Sequence, residues 1–264
     1  MVSDKEIDAS LMKTQRKEEW FDNEKFWREL ELYMFPEHRF ADAAASLKSL
    51  LRLAKPKGKA VLDLCCGPGR WTIPLAKHGF HVTAVDRTAH LLRRAQARAG
   101  PQRARIEWVR QDMRDFVRPN SFDLVLSMLT SFGYFDDPQE YLAVLGNIHT
   151  SLRPGGVVFM EMAGKEILAR TFQANTAECL PDGSWLIQRH ELSDGWSRIR
   201  NEWTLIKRGQ TQTWKFEHSI YSGRELQDRL ELAGFGNVKL FGSFQGDGYD
   251  QNALRLIAVA RRLK

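Results

Sequence analysis

The fold is decided by the stretch from Val61 to Asp86, which reads VLDLCCGPGRWTIPLAKHGFHVTAVD. A short apolar strand leads into a glycine-containing loop and a helix, and a second apolar strand ends in the acid. Gly67 and Gly69 let backbone amides of the loop approach a ligand without an intervening side chain. About 17 residues separate Gly69 from Asp86, close to the spacing of roughly 20 between a nucleotide loop and its ribose-binding carboxylate. The stretch therefore predicts a ribose-binding site.

Two nucleotide cofactors compete for this site, a dinucleotide and S-adenosylmethionine. Cys65 stands where the dinucleotide fingerprint has its first glycine. Pro68 follows Gly67, so the helix N-terminus is not the open anion cradle that a pyrophosphate needs. S-adenosylmethionine carries no phosphate and makes no such demand. The loop therefore favours S-adenosylmethionine.

The segment Ala60–Glu161 resembles the class I S-adenosylmethionine-dependent methyltransferases, in particular those that act on small molecules. Besides the loop and its acid, the resemblance is carried by Asp112-Met113, residues 122–134 and residues 152–156. In that family one acid orders the loop, and the glycines of the loop lie beside the methionine part of the cofactor. A second acid binds the ribose hydroxyls, and a third faces the adenine amino group. The resemblance implies these roles for Asp63, Gly67, Gly69, Asp86 and Asp112, with Arg87 and Met113 flanking the adenine. Cys65 replaces a usual glycine beside the methionine part, where its small side chain is tolerable.

The sequence identifies the acceptor-binding residues less specifically, because few residue types are obligatory for methyl transfer. The reaction mainly needs alignment, exclusion of water and, for an acidic nucleophile, a base. The loop after the fourth strand lies at the edge where doubly wound folds bind ligands, so we expect Met128 and Ser131 to border the methyl group. A hydrophobic loop that packs under the lid is the alternative. The candidates for a base or an acceptor anchor are Tyr134, Glu161 and His218. For His218, which shares a strand face with apolar residues, a core histidine is the alternative.

Alternating strands and helices from residue 60 to 161 predict an α/β chain with a doubly wound, Rossmann-like, seven-stranded sheet. We divide the chain into an N-terminal helical lid (1–58), a cofactor-binding core (59–164 and 222–264) and an inserted antiparallel β meander (165–221). The hairpins of the meander are expected to cover the acceptor or to pair across a homodimer.

The lid is predicted from aromatic residues that recur at helical spacing between residues 16 and 34, with Pro36 ending that helix. A second helix is predicted over residues 39–53. This aromatic helix, with Trp27 and Tyr33, could close over the cofactor and stack near the sulfonium by a cation–π contact, and ordinary core packing is the alternative.

Eight arginines lie in the middle of a chain whose formal net charge is +6. This charge could attract nucleic acid, but we interpret the arginines as a solvated face. They are Arg93, Arg94, Arg98, Arg103, Arg105, Arg110, Arg114 and Arg118.

An RNA methyltransferase is the main alternative function. It is disfavoured because the chain has no Asn/Asp-Pro-Pro-Tyr/Phe tetrad after the fourth strand and no Pro-Cys or Thr-Cys nucleophile. An enzyme that cyclises the cofactor and a binding module without chemistry also stay open.

The absence of targeting and membrane segments points to a protein of the cytoplasm. No apolar run approaches the roughly 20 residues that span a bilayer, and the charged N-terminal stretch lacks the core of a signal peptide. We expect a small-molecule acceptor and no membrane partner. Asp136-Asp137-Pro138 with Glu140 could suggest a metal, but acids that open a helix are typical of capping, so no metal site is predicted.

Overall fold

A computed structural model of the 264-residue chain describes residues 19–263. The strands are β1 (Ala60–Leu64), β2 (His81–Asp86), β3 (Ile106–Arg110), β4 (Phe122–Ser127), β5 (Leu152–Met162), β6 (Asn175–Cys179), β7 (Trp185–Ser193), β8 (Arg198–Lys207), β9 (Gln210–Ser219), β10 (Phe235–Phe241) and β11 (Leu256–Arg262). The helices are α1 (Glu24–Glu29), α2 (Glu31–Met34), α3 (Glu37–Ala54), α4 (Thr72–Lys77), α5 (Ala89–Ala99), α6 (Pro138–Ser151), α7 (Lys165–Thr171) and α8 (Gly223–Leu232).

The main sheet has seven strands in the order β10-β11-β5-β4-β1-β2-β3. Strands β1 to β5 run parallel, whereas β11 pairs antiparallel with β5 and β10 pairs antiparallel with β11. The direction of winding reverses between β1 and β4, and such a switch point opens a crevice at the carboxyl ends of the strands. The predicted doubly wound, Rossmann-like seven-stranded sheet is confirmed.

Helices cover both faces of this sheet, because alternate residues of each buried strand point to opposite sides. On one face Val61 belongs to a core cluster that contains Leu47 and Leu50 of α3. On the other face Leu62 belongs to the cluster that contains Leu145 of α6. Asp137 caps α6 by accepting a hydrogen bond from the Gln139 amide, with Pro138 at its first position, as the capping interpretation predicts.

The lid is more broken than the sequence pattern predicts. Of the expected helix over residues 16–34, residues 16–18 lie outside the described part. The rest divides into a 3-10 turn (Trp20–Asp22), α1 and α2. The break arises at Asn23, which is extended at φ −72° and ψ 94° and whose side chain caps α1 by accepting from the Phe26 amide. The apolar residues keep their helical spacing across Asn23, so the apolar pattern does not reveal this break in the helix.

The inserted antiparallel sheet is confirmed, but it has four strands, β6-β7-β8-β9, rather than the three that alternation predicts. Strand β6 was missed because its sequence NTAEC has little apolar content and is mostly exposed. Trp203 and Trp214 face each other across β8 and β9, and the aromatic side chains of this inner face pack against the lid. Trp20 of the lid stacks on Phe216 with ring centres 4.6 Å apart.

The arginine-rich region is not uniformly a solvated face. Arg93, Arg94, Arg103, Arg105 and Arg110 are exposed, and Arg98 and Arg118 are half-buried. Arg114 was assigned wrongly, because its side chain is 3% exposed and is surrounded by carboxylates. Within residues 19–263 no helix is long and apolar enough to cross a bilayer.

Candidate active site

A cavity of about 520 Å³ opens at the carboxyl ends of β1, β2 and β4. Most of the predicted site residues line it. They are Asp63, Cys65, Gly67, Asp86, Arg87, Asp112, Met113, Met128, Ser131, Tyr134 and Glu161. Tyr33, Gly69 and His218 are not among its lining residues. The cavity therefore unites residues from five separate segments of the sequence.

The loop after β1 is tied to the end of β2. The Cys66 amide donates to the Val85 carbonyl at 2.9 Å, and the Gly67 amide donates to Asp86 Oδ2 at 2.9 Å. Cys65 adopts φ +62°, in the left-handed region that favours glycine. This conformation explains why a glycine is usual here, and the Cys65 thiol packs 3.4 Å from the sulfur of Met113.

Gly69 has a packing role in this loop. Its φ is +86°, and an added Cβ would lie 3.1 Å from Ile73 and 3.3 Å from Ala95. The glycine therefore lets α4 and α5 approach each other behind the loop.

Asp63 orders the loop through the helix that follows. Its buried carboxylate accepts a hydrogen bond from the Thr72 hydroxyl at 2.5 Å, at the start of α4. Burial raises the pKa of Asp63 to about 6, and the bond from Thr72 opposes this rise. The charged form of Asp63 is therefore disfavoured in the folded protein.

We expect the Asp63→Asn variant to gain stability relative to the wild type as pH rises from 4 to 7. Because the folded pKa of Asp63 lies above its unfolded value, the wild type loses stability as pH rises through this window, by up to about 3 kcal/mol. Asparagine has no proton to lose. Chemical denaturation at pH 4.5 and 7.5 measures the difference between the two proteins. A difference that does not change with pH would show that the Asp63 pKa is ordinary.

Asp86 holds the loop after β1 and keeps lone pairs that can accept further hydrogen bonds. Its two carboxylate oxygens accept from the amides of Gly67 and Thr88, at 2.9 and 2.8 Å. Burial raises the Asp86 pKa, and these two amides oppose the rise. Each oxygen has a further lone pair, and Asp86 lines the cavity, so its carboxylate can accept from a pair of hydroxyls.

Asp112 is more heavily engaged than the sequence predicts. Arg114 donates to Oδ1 from its amide and Nε and to Oδ2 from Nη2, and Arg87 Nη1 lies 2.9 Å from Oδ2. Burial alone would raise the Asp112 pKa, but the Arg114 hydrogen bonds hold it below its ordinary value. An adenine amino group would therefore compete with two guanidinium groups for this carboxylate.

The same two arginines bind the lid to the core. Arg114 donates to both oxygens of Glu19, at 3.1 and 2.6 Å, and its Nη1 donates to Glu140 at 2.8 Å. Arg87 pairs with Asp22 and lies over the Phe21 ring, 4.8 Å from its centre. We call this set of charges (Glu19, Asp22, Arg87, Asp112, Arg114 and Glu140) the lid network. It closes the cavity beside Asp112.

The segment that forms most of this site is similar to known proteins. Residues 61–156 match the family model described as a methyltransferase domain. The cypemycin N-terminal methyltransferase of a Streptomyces species is 25% identical, with 78% of this chain and 84% of the relative covered. Residues 61–156 form a class I S-adenosylmethionine-dependent methyltransferase domain.

Two further comparisons agree with this domain. A dTDP-3-amino-3,4,6-trideoxy-alpha-D-glucopyranose N,N-dimethyltransferase of Streptomyces venezuelae is 29% identical over 46% of this chain and 50% of its own. The structure of an S-adenosylmethionine-dependent methyltransferase from Clostridium acetobutylicum shares the fold, with a TM-score of 0.76 at 15% identity, over 91% of this chain and 98% of that one. The prediction of a class I methyltransferase is confirmed.

The loop after β4 of this methyltransferase is held in an unusual conformation. Leu129 and Thr130 adopt φ +59° and +63°, which non-glycine residues rarely do and which costs on the order of 1–3 kcal/mol each. Glu161 stabilises the turn, because its carboxylate accepts from the Leu129 amide at 3.0 Å and its carbonyl accepts from the Thr130 amide at 3.2 Å. Glu161 also pairs with Arg255 at 2.5 Å, so its carboxylate already has two partners.

Tyr134 faces the cavity from the same loop. Its ring packs on Phe21 and against the edge of Trp20, with ring centres 5.8 and 4.7 Å away. Burial raises the Tyr134 pKa, and the nearby Cys65 and Asp86 add to the rise. The phenol is therefore neutral at physiological pH and can donate a hydrogen bond to an acceptor molecule.

The structure places Tyr33 and His218 on the sheet side of the lid. The Tyr33 hydroxyl donates to Gln188 at 3.2 Å, and the ring packs edge-on against Trp203. His218 lies edge-on to Tyr134, with ring centres 6.1 Å apart, and Asn201 Nδ2 is 3.4 Å from its Nδ1. Burial lowers the His218 pKa to about 4, so this imidazole is neutral at physiological pH. Neither side chain lines the cavity, and His218 reaches it only by its contact with Tyr134.

Several lining residues escaped sequence reasoning. The loop motif contains Arg70 and Trp71 and the lid contains Phe21 and Phe35, yet no spacing rule marks any of them as facing a ligand. Leu91 of α5 was also missed, because its apolar position in the helix is as typical of core packing as of a cavity wall. Among residues 19–263 no cluster of histidine, cysteine or acidic side chains could hold a metal ion.

Gly133 couples the β4 loop to the inserted sheet. The Ser219 amide donates to the Gly133 carbonyl at 2.7 Å, and an added Cβ at Gly133 would lie 2.7 Å from the Ser219 carbonyl oxygen. We expect Gly133→Ala to lower the free energy of unfolding by about 1–3 kcal/mol, because backbone must move at a φ of +154°.

Gly146→Ala is the matched control for this variant. Gly146 lies inside α6, and an added Cβ there meets nothing within 4 Å. Alanine should stabilise this position by roughly 0.5–1 kcal/mol. Chemical denaturation compares the two variants. Equal stabilities would contradict the coupling of Gly133 to Ser219.

Proposed function

We propose that this methyltransferase transfers a methyl group from S-adenosylmethionine to a small-molecule acceptor. One observation carries the proposal: the cavity unites the Gly67 loop, the acids at the ends of two strands and the β4 loop beneath an aromatic lid. A ligand at a switch point of a parallel sheet meets the carboxyl ends of the strands, where these groups lie. The same enclosed volume suits a transfer that needs alignment and exclusion of water.

In this proposal Asp86 binds the two ribose hydroxyls with its remaining lone pairs. The backbone at Cys65 and Gly67 contacts the methionine part, and Arg87 and Met113 flank the adenine. An added Cβ at Gly67 would lie 3.5 Å from the Phe35 ring, so this loop and the lid border the same part of the cavity. When bound, S-adenosylmethionine supplies a methyl carbon that its sulfonium already activates.

The acceptor is proposed to bind between the β4 loop and the lid. Met128 and Ser131 border the reacting carbon, and Tyr134 holds the acceptor through its hydroxyl. The Glu161 carboxylate reaches the same wall, although its bonds to Leu129 and Arg255 make it first a support for the loop. The Streptomyces venezuelae relative is by its name an N,N-dimethyltransferase, which supports an amine as the acceptor.

The inserted sheet and the location of the enzyme complete the proposal. Residues 165–221 are proposed to act as an acceptor cover through the Gly133–Ser219 contact, and a homodimer through this sheet remains the alternative. We further propose that the enzyme works in the cytoplasm.

Incubation with labelled S-adenosylmethionine and a panel of small amines tests the proposal. We expect transfer of the label together with stoichiometric S-adenosylhomocysteine. Formation of methylthioadenosine without an acceptor would instead indicate cyclisation of the cofactor. A salt-sensitive RNA complex that accepts the label would favour the RNA alternative.

A further inference from the structure

The opening of the cavity is bordered by a polar and an apolar set of residues. A residue that lines the cavity and is itself exposed lies at this opening, and six of the described residues do both. The polar set comes from α3 alone and consists of His38, Arg39 and Asp42. The apolar set, which we call the apolar rim, comes from three separate segments and consists of Leu129, Ala163 and Leu254.

Leu254 is the most exposed large apolar residue of the rim, because 76% of its surface is accessible. The loop that carries it is anchored on both sides. The amides of Leu254 and Arg255 both donate to the Gly242 carbonyl at 3.1 Å, and Arg170 of α7 donates to the Ala253 carbonyl at 2.7 Å. The backbone therefore holds a large apolar side chain in water at the opening of the cavity.

Leu129 reaches the opening in a strained conformation. Its φ is +59°, and the residue is still 37% exposed. Glycine or asparagine would adopt this conformation with less strain. Because the strain is not offset by full burial of the side chain, packing within the fold does not explain a leucine here. Strained residues of this kind cluster where a ligand is bound.

Hydrogen bonds join the three segments of the apolar rim into one surface. The Glu161 carboxylate accepts from the Leu129 amide and pairs with Arg255, which follows Leu254. The Ala163 amide donates to the Thr130 hydroxyl at 3.3 Å. The β4 loop, the end of β5 and the loop before β11 are therefore fixed relative to one another.

We propose that the apolar rim binds a hydrocarbon portion of the acceptor, an alkyl chain or an apolar ring. The less exposed Ile167 and Met162 also line the cavity and continue this apolar surface inward. Single exposed leucines are common on protein surfaces, but apolar residues gathered at the opening of a cavity indicate a binding surface. The inference rests on the proposed function, since it requires that the acceptor enter by this opening.

The probes are n-alkylamines of four, six and eight carbons, titrated by calorimetry into protein saturated with S-adenosylhomocysteine. Each methylene that leaves water for the rim should tighten binding by about two- to fourfold. Leu254→Ser should weaken octylamine by about 3- to 10-fold and leave butylamine within about twofold, because the shorter chain does not reach the rim. The affinity for S-adenosylhomocysteine should not change.

Leu232→Ser is the matched control for this variant. Leu232 ends α8, is 73% exposed and does not line the cavity, so its replacement should leave all three amine affinities unchanged. Leu129→Asn is a second test at the rim. Asparagine suits the φ of +59° and removes the apolar side chain, so the same selective loss of octylamine is expected.

Three results would overturn the inference and leave the proposed function intact. The first is an affinity that does not rise with chain length, and the second is a Leu254→Ser loss that is equal for all three amines or extends to S-adenosylhomocysteine. The third is a self-association of the wild type, measured by sedimentation, that Leu254→Ser abolishes while amine binding is unchanged, because the rim would then join two copies of the chain. A wild type that does not bind S-adenosylhomocysteine overturns both proposals.

Discussion

Replacing Asp86 with alanine is expected to weaken binding of S-adenosylhomocysteine by about 10- to 150-fold, or about 1.5–3 kcal/mol. The carboxylate is the only one proposed to contact the ribose, and alanine removes both oxygens. The amides of Gly67 and Thr88 also lose their acceptor, so the loop after β1 becomes less ordered. Titration calorimetry measures the affinity.

Glu107→Ala provides a matched control for this variant. Glu107 is an acid on the neighbouring strand β3, but it faces away from the cavity and pairs with Arg118. Its removal should leave cofactor affinity unchanged. If a folded Asp86→Ala variant bound S-adenosylhomocysteine as the wild type does, the assignment of the nucleoside site would have to be abandoned.

The Arg114→Met variant is expected to lose about 3–5 kcal/mol of the free energy of unfolding, because it removes a buried guanidinium from among three partly buried carboxylates. Asp112, Glu19 and Glu140 all accept hydrogen bonds from this guanidinium. Arg87 still pairs with Asp112 and Glu19, but one cation then remains where two stood. Denaturation with urea at neutral pH measures the loss.

Arg118→Met separates this effect from the loss of any arginine. Arg118 also forms a bidentate ion pair, with Glu107, but the Arg118 and Glu107 side chains are 40% and 51% exposed. Exposed pairs contribute roughly 0–1 kcal/mol, so the control should be nearly as stable as the wild type. Similar losses in the two variants would mean that the lid network does not stabilise the fold.

The part of the cavity formed by the strand ends could be predicted because it is encoded locally. The end of a buried strand, a glycine with positive φ and an acid one strand later each leave a pattern within a few residues. Parallel pairing then brings Asp63 and Asp86 to the same sheet edge, whatever the remainder of the chain does. The sequence therefore sufficed to predict the sheet and the acids at its strand ends that line the cavity.

The contacts of the lid and of the inserted sheet could not be predicted in the same way, because they join distant segments. Tyr33 has helical spacing that suits a lid over the cofactor, yet its hydroxyl contacts Gln188 of β7 instead. Arg114 belongs to a run of arginines, and only its partners in the lid and α6 distinguish it from the exposed ones. The contact of Gly133 with Ser219 joins residues 86 positions apart in a way that neither local sequence reveals.

The lid network also has a kinetic consequence. Arg87 and Arg114 each contact both the lid and Asp112, so the lid cannot lift from Glu19 and Asp22 without disturbing the proposed adenine site. Binding of S-adenosylmethionine and release of S-adenosylhomocysteine would then both require the separation of these ion pairs. We therefore expect the residence time of a nucleoside to depend on residues that do not touch the reacting carbon.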